Sequence, residues 1–284
     1  MPELLDEQYR TLKAIASKKL GGEPVASLIS EMALHSRQIL SHVRRRTYTS
    51  DVAGKRYFGF SDSVDSRPVN EAIYIDDDAE FDGLLQSFRD GFQDTPANDV
   101  VESVYTIAYS VFAANDVYEV GRKTSATFFE ILIGHIVARV LGVEPRKKVK
   151  IPETGADLTT DYVFDLGSRR RKIHLPIKTS TRERGVQAWV HQLVLDRIFG
   201  DGIYKGVLVV AAETKRASKT GVITEICVPQ QFQMFQSRVA RISRIYYLDP
   251  PDAYLDLAGV EELHRVEVKS FGKAMAELPR ILRS

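Results

Sequence analysis

The chain has 284 residues, 44% of them hydrophobic, and a formal net charge of +1. That is room for one large domain or two modest ones, with cores that need no disulfide support. The single Cys227 excludes an intramolecular disulfide and fits a reducing compartment.

No signal-type apolar segment opens the chain and no apolar run approaches roughly 18 residues, so the expectation is a cytoplasmic protein without a membrane partner. Near-zero net charge leaves any nucleic-acid contact to local basic clusters. Three are present: HVRRR at 42–46, RKKVK at 146–150 and RRRK at 169–172.

In chain order, PELLDEQYRTLKAIASKKL and EPVASLISEMALHSRQILSHV carry apolar residues at three-and-four spacing and predict helices. A loop-rich stretch is expected from Arg44 to about Asp78, then a helical one from roughly Ala79 to Val120. TSATFFEILIGHIVARVLG predicts a helix ended by Gly142 and closed off by Pro145. Its His135 is expected to be a satisfied core histidine.

After Pro145 the period changes. KKVKI, DYVFDL, KIHLPIKTS, GVLVVAA and VITEICV predict strands, with a helix from roughly Glu183 to Phe199 between the third and fourth. On that helix Trp189, Val186, Val190, Leu193 and Val194 are expected to pack on the sheet. A strand RIYYL and a helix GKAMAELPRIL follow. The fold class is therefore α/β, a central mixed β-sheet flanked by helices with an N-terminal helical region in front. The expected division is 1–120 for that region and 121–284 for the sheet domain.

DYVFDL and KIHLPIKTS are joined by a glycine-bearing polar turn. An antiparallel hairpin centred between Arg169 and Arg170 sets Asp161 opposite Lys178, their Cβ atoms about 4.5–5.5 Å apart. On spacing alone this is either a surface ion pair or a functional one.

Glu130 in TSATFFEIL, Thr160-Asp161 in TTDYVF and Pro176-Ile177-Lys178 together resemble the core of the PD-(D/E)xK nucleases. Lys178 followed by Arg182-Glu183-Arg184 resembles, more narrowly, the type II restriction endonucleases that cut CCGG, CCNGG or CCWGG sites. The resemblance spans roughly residues 122–213. It implies a Mg²⁺-dependent, site-specific deoxyribonuclease of a restriction-modification system. Its partner would be double-stranded DNA, bound at a short palindrome with a CC/GG element by a homodimer that could pair into a tetramer.

Asp161 would be the central metal ligand, with the Ile177 carbonyl and Glu130 as further oxygen ligands and Lys178 as the cationic partner. Thr127-Phe128-Phe129-Glu130 is equally a helix-capping pattern. Pro176 stands where the triplet acid is expected. In the relatives that acid comes from thirteen residues after the lysine, here His191 with Gln192 beside it. Histidine is an unusual ligand for Mg²⁺, and Gln192 offers an uncharged oxygen.

Arg182, Glu183 and Arg184 suit base reading. Arginine grips guanine O6 and N7 with two hydrogen bonds, and a carboxylate accepts from cytosine N4. Three alternatives stand beside this reading: a catalytically decayed DNA-binding protein on the nuclease fold, a non-specific repair-type nuclease, and an α/β protein with no nucleic-acid role.

Overall fold

The computed structural model describes residues 2–118, 122–167, 171–182, 185–259 and 266–281. The chain forms two compact units, 1–135 with 214–226, and 136–213 with 227–284. The division passes through a helix, and a hairpin from late in the chain joins the first unit.

In the first unit, α1 (Pro2–Ala16) and α2 (Glu23–Leu40) are the two expected amphipathic helices. The stretch expected to be loop-rich instead holds three strands, β1 (Arg44–Tyr48), β2 (Tyr57–Ser61) and β3 (Val69–Asn70), in one antiparallel sheet. The three arginines of the HVRRR cluster thus lie on a strand, where Arg45 pairs with Asp76 at 2.5 Å and sits over the Phe58 ring.

The helical stretch expected from Ala79 to Val120 is two helices, α3 (Asp78–Arg89) and α4 (Ala97–Val117). Between them Gly91, Phe92 and Asp94 take positive φ, which no helix tolerates. α4 is the core of the unit: from Val100 to Asn115 every residue but Glu102 is buried. Asp116, at its end, grips Arg67 through two 2.7 Å hydrogen bonds.

α5 (Arg122–Leu141) follows. Thr127 lies inside it, so the capping-box alternative fails. Its segment Thr124–Leu141 is long and apolar enough to cross a membrane, against the expectation of no such run, and 61% of it is buried within the protein. His135 is buried, with Nδ1 2.7 Å from the Leu20 carbonyl, as expected of a core histidine.

The second unit is built on one mixed sheet. Its strands are β4 (Arg146–Lys150), β5 (Asp157–Asp165), β6 (Lys172–Leu175), β7 (Ile177–Lys178) and β8 (Tyr204–Val210), with α6 (Gly185–Phe199) between β7 and β8. A short hairpin, β9 (Thr214–Arg216) and β10 (Ile223–Glu225), returns to the first unit. α7 (Pro229–Arg238), β11 (Ile242–Tyr247), α8 (Asp252–Leu255), β12 (Val268–Ser270) and α9 (Ala274–Ile281) complete the chain.

The sheet order is β12-β11-β8-β6-β5-β4, with β7 continuing beside β8. β6, β8, β11 and β12 run parallel to their neighbours in that order, whereas β5 is antiparallel to both β4 and β6. This is the expected mixed sheet flanked by helices.

The face of α6 differs from expectation. Ala188, Trp189, Gln192 and Leu195 are buried, while Val186 and Val190 are 42% and 44% exposed. Trp189 packs against Phe232 and Phe235 of α7, a polar-looking helix that the sequence reading did not anticipate. Packing against a second helix, not only the sheet, rotates the buried stripe away from Val186 and Val190.

Candidate active site

The hairpin between β5 and β6 pairs Tyr162 with Leu175, Val163 with His174, Phe164 with Ile173 and Asp165 with Lys172. The expected register is therefore off by two residues, and Asp161 and Lys178 are not directly opposed. A slip of two preserves which face each side chain occupies, where a slip of one would have reversed it. The diagonal spacing that results is within reach of a lysine.

The ladder stops at Leu175 because the next residue, Pro176, brings no amide hydrogen. The expected single strand KIHLPIKTS thus breaks at the proline: β6 pairs with both β5 and β8, whereas β7 continues along β8 alone. On its other side β5 is bulged against β4, since Lys148 pairs with Thr159 but Arg146 pairs with Val163. Asp161 sits within that bulge and at the end of the β5–β6 ladder, a setting that commonly re-aims a side chain.

Asp161 Oδ2 accepts two hydrogen bonds, from the Ile177 backbone N–H at 2.7 Å and from Lys178 Nζ at 2.7 Å. The two side chains are 22% and 16% exposed, so the pair is largely shielded but reachable from solvent. β8 accounts for the other edge of β7: Val209 N–H donates to the Pro176 carbonyl and Ala211 N–H to the Lys178 carbonyl. Strand alternation then turns the Ile177 carbonyl, like its N–H, toward β5.

Among the described residues, neither that carbonyl nor Asp161 Oδ1 accepts a hydrogen bond. The second oxygen of a carboxylate bonded to the Lys178 ammonium and a backbone carbonyl turned toward the same strand are therefore left without a protein donor among the described residues. Mg²⁺ is held through one or two carboxylates while keeping several waters, so this donor pair fits it. No group of three or more His, Cys, Asp or Glu side chains among the described residues is placed to hold a metal ion. A cation here would be completed by water and by substrate oxygens.

His191, on α6, is half-buried and interacts electrostatically with both Asp161 and Lys178. Burial lowers its pKa, partly offset by the Asp161 carboxylate. Its ring lies 6.1 Å from that of His174.

His174 is fully buried, which pushes its pKa down to about 4. Its Nδ1 lies 3.1 Å from Gln192 Oε1, while Gln192 Nε2 donates to Asp196 Oδ1 and the Tyr204 carbonyl, each at 2.8 Å. The Gln192 amide is therefore fully engaged in binding α6 to the sheet. Its oxygen, expected as a possible metal ligand, is held by His174.

Lys178 leads into Thr179, Ser180, Thr181 and Arg182. Arg182 is exposed, and its Nε donates to Ser180 Oγ at 2.9 Å. Glu183 and Arg184 lie outside the described residues, as do Arg169 and Arg170 of the RRRK cluster. Glu130 is half-buried on α5 and belongs to the first unit, whereas Asp161, Ile177, Lys178, Arg182 and His191 belong to the second.

One buried group went unnoticed in the sequence. Glu213 is fully buried and accepts from Ser180 Oγ, Thr181 N, Thr181 Oγ1 and Tyr247 OH. The available signal was a carboxylate directly after the apolar run GVLVVAA, where a buried strand ends.

No protein-family model and no curated protein matches the chain. Among solved structures, the restriction endonuclease PspGI–substrate DNA complex aligns at 12% identity and TM-score 0.46, over 72% of this chain and 92% of that one. The crystal structure of the type IIP restriction endonuclease Kpn2I aligns over 100% of this chain and 98% of that one, at 23% identity and TM-score 0.85. With its central mixed sheet, its flanking helices and its N-terminal helices, the chain has the fold of a type II restriction endonuclease.

Proposed function

We propose that the protein is a metal-dependent type II restriction endonuclease, hydrolysing DNA phosphodiesters at a short palindromic site containing CC/GG. The observation that carries this is the Asp161 carboxylate held at 2.7 Å by both Lys178 Nζ and the Ile177 N–H, beside a free backbone carbonyl. The likeness of fold to Kpn2I supports the same reading.

The residues divide the work as follows. Lys178 places a positive charge where a pentacoordinate phosphate develops negative charge, and it does so in a partly shielded site, where that charge counts for more than in water. The Ile177 N–H and Lys178 fix the Asp161 carboxylate by one oxygen and leave the other pointing free. Asp161 Oδ1 and the Ile177 carbonyl are the oxygens that would hold Mg²⁺. When bound, that ion supplies a water of lowered pKa and a counter-charge for the phosphate oxygens. His191 has a lowered pKa, so it presents a neutral imidazole at pH 7 that can accept a hydrogen bond from the attacking water.

Arg182 would grip guanine in the major groove. A palindrome cut on both strands calls for a two-fold homodimer.

The test is direct. Protein and Mg²⁺ with a plasmid of known sequence should give discrete fragments whose mapped ends share one palindrome, and chelation should stop cleavage. Random ends would indicate a non-specific nuclease. Tight site-specific binding without cleavage in Mg²⁺ or Mn²⁺ would indicate a decayed one, for which the missing acid at Pro176 is the specific argument.

A further inference from the structure

Glu213 stands three residues past the end of β8, and its environment sets it apart from the ion pairs of the surface. Oε1 accepts from Thr181 N at 2.9 Å, Thr181 Oγ1 at 2.5 Å and Tyr247 OH at 2.9 Å. Oε2 accepts from Ser180 Oγ at 2.8 Å and shares the Thr181 N–H at 3.2 Å. Among the described residues no cation pairs with it. A buried carboxylate is costly unless its oxygens are hydrogen-bonded, and here four donors converge on it.

Only an acceptor-only group can satisfy four donors at once. A glutamine would present two N–H donors of its own to hydroxyls and an amide that are already donating. The position is therefore specified for a carboxylate.

What that carboxylate holds is the connection between Lys178 and Arg182. β8 and the two residues after it fasten this segment point by point: Val209 N to the Pro176 carbonyl, Ala211 N to that of Lys178, and Ala212 N to that of Thr179 at 3.3 Å. The Glu213 side chain then takes Ser180 and Thr181. Ser180 Oγ, while donating to Glu213, accepts from Arg182 Nε at 2.9 Å and from the Arg182 backbone N–H at 3.3 Å. Tyr247 of β11 braces the carboxylate from the next strand, and its own hydroxyl is held protonated by burial.

We infer that Glu213 is a positioning residue that fixes Arg182 relative to Lys178 through Ser180 and Thr181, coupling base reading to strand cleavage. This rests on the nuclease reading above. A reader and a cleavage group held by one short, clamped loop keep a constant separation, so cleavage follows only when the correct base pair has seated the arginine.

Three variants test it: Glu213→Gln, Ser180→Ala and Ser180→Thr, with mapped plasmid cleavage and DNA-binding affinity as readouts. Glu213→Gln is expected to lower cleavage at the mapped site by about tenfold to a hundredfold, the scale of a small misplacement of a reacting group. It should also lower the ratio of cuts at that site to cuts at its one-base variants. Ser180→Ala, which removes the hydroxyl that links Glu213 to Arg182 and leaves the three other Glu213 donors in place, should lower that ratio and raise KM more than it lowers kcat. Ser180→Thr keeps the hydroxyl and should restore both.

If wild-type protein is inert on DNA, the nuclease reading falls and takes this inference with it. If wild-type cuts but folded Ser180→Ala and Glu213→Gln discriminate as sharply as it does, only the positioning role is overturned. Should Glu213→Gln fail to fold, the comparison of Ser180→Ala with Ser180→Thr decides the matter alone.

Discussion

Asp161 and Lys178 meet on the same face of the sheet, Nζ to Oδ2 at 2.7 Å, although they are not partners in any strand ladder. Lys178→Ala should lower cleavage by about 100- to 1,000-fold, the effect of removing one preorganised charge-stabilising group. Asp161→Asn should abolish cleavage, since its amide cannot serve as an anionic ligand. Both variants should keep the wild-type circular dichroism spectrum, and loss of the folded spectrum would remove the argument for catalysis.

Arg182 is exposed and, among the described residues, hydrogen-bonded only to Ser180 of its own loop, so its removal should spare the fold. Arg182→Ala should cost about 1–3 kcal/mol of discrimination at one base pair, the worth of a bidentate arginine–guanine contact. It should also flatten the dependence of binding on salt if the side chain contacts phosphate as well. Competition binding against single-base variants of the mapped site measures both.

His174 gives the second unit an acid sensitivity. Its folded pKa, about 4, lies below the ordinary histidine value of 6.5 because burial disfavours the charged ring. As pH falls from above 6.5 toward 4, the unfolded chain takes up a proton that the folded chain refuses. Stability is therefore lost across that window and changes no further below it. The loss is on the order of 3 kcal/mol. Urea unfolding at pH 7.5 and 4.5 should show a larger drop for wild-type than for His174→Phe. The charges nearest it are those of His191, Asp161 and Lys178, and titration of His191 adds to the same window.

Gly206 of β8 marks how closely α6 approaches the sheet. A Cβ there would lie 2.7 Å from both Gln192 Oε1 and Ile242 Cδ1. Gly206→Ala should lower stability by about 1–3 kcal/mol, as overpacking does. It should also displace the Gln192 amide that holds His174. Thermal melting checks the first effect, and a changed pH dependence of stability checks the second.

Much of the second unit was readable because its strands are apolar runs between turn residues and because Asp161, Lys178 and Arg182 sit at a recognisable spacing. The register was not, since a hairpin's centre depends on its turn, and here a proline ends the ladder before the lysine is reached. A shift of two residues left the face of Asp161 and Lys178 unchanged, which is why the pairing survived a wrong alignment.

β1 was missed because four of its five residues are exposed and three are arginines, so neither alternation nor apolarity announces a strand. α7 was missed for a similar reason: in PQQFQMFQSR only Phe232 and Gln236 are buried. Gln192 looked like a candidate ligand from its position after the lysine, and only the neighbouring His174 and Tyr204 reveal that both ends of its amide are engaged. Glu213 has no periodicity to betray it. Its importance arises from four donors on Ser180, Thr181 and Tyr247, each more than thirty residues away from it in sequence.

Pro176 has a consequence beyond ending a ladder. By ending the β5–β6 ladder while the chain stays paired with β8, it leaves open a carboxylate oxygen and a carbonyl that a continued ladder would have zipped shut. The vacancy left by the expected acid and the opening that exposes its companions therefore have a single origin. A change that let the β5 ladder run farther, such as Pro176→Val, would cover these two oxygens even though every charged group nearby was still present.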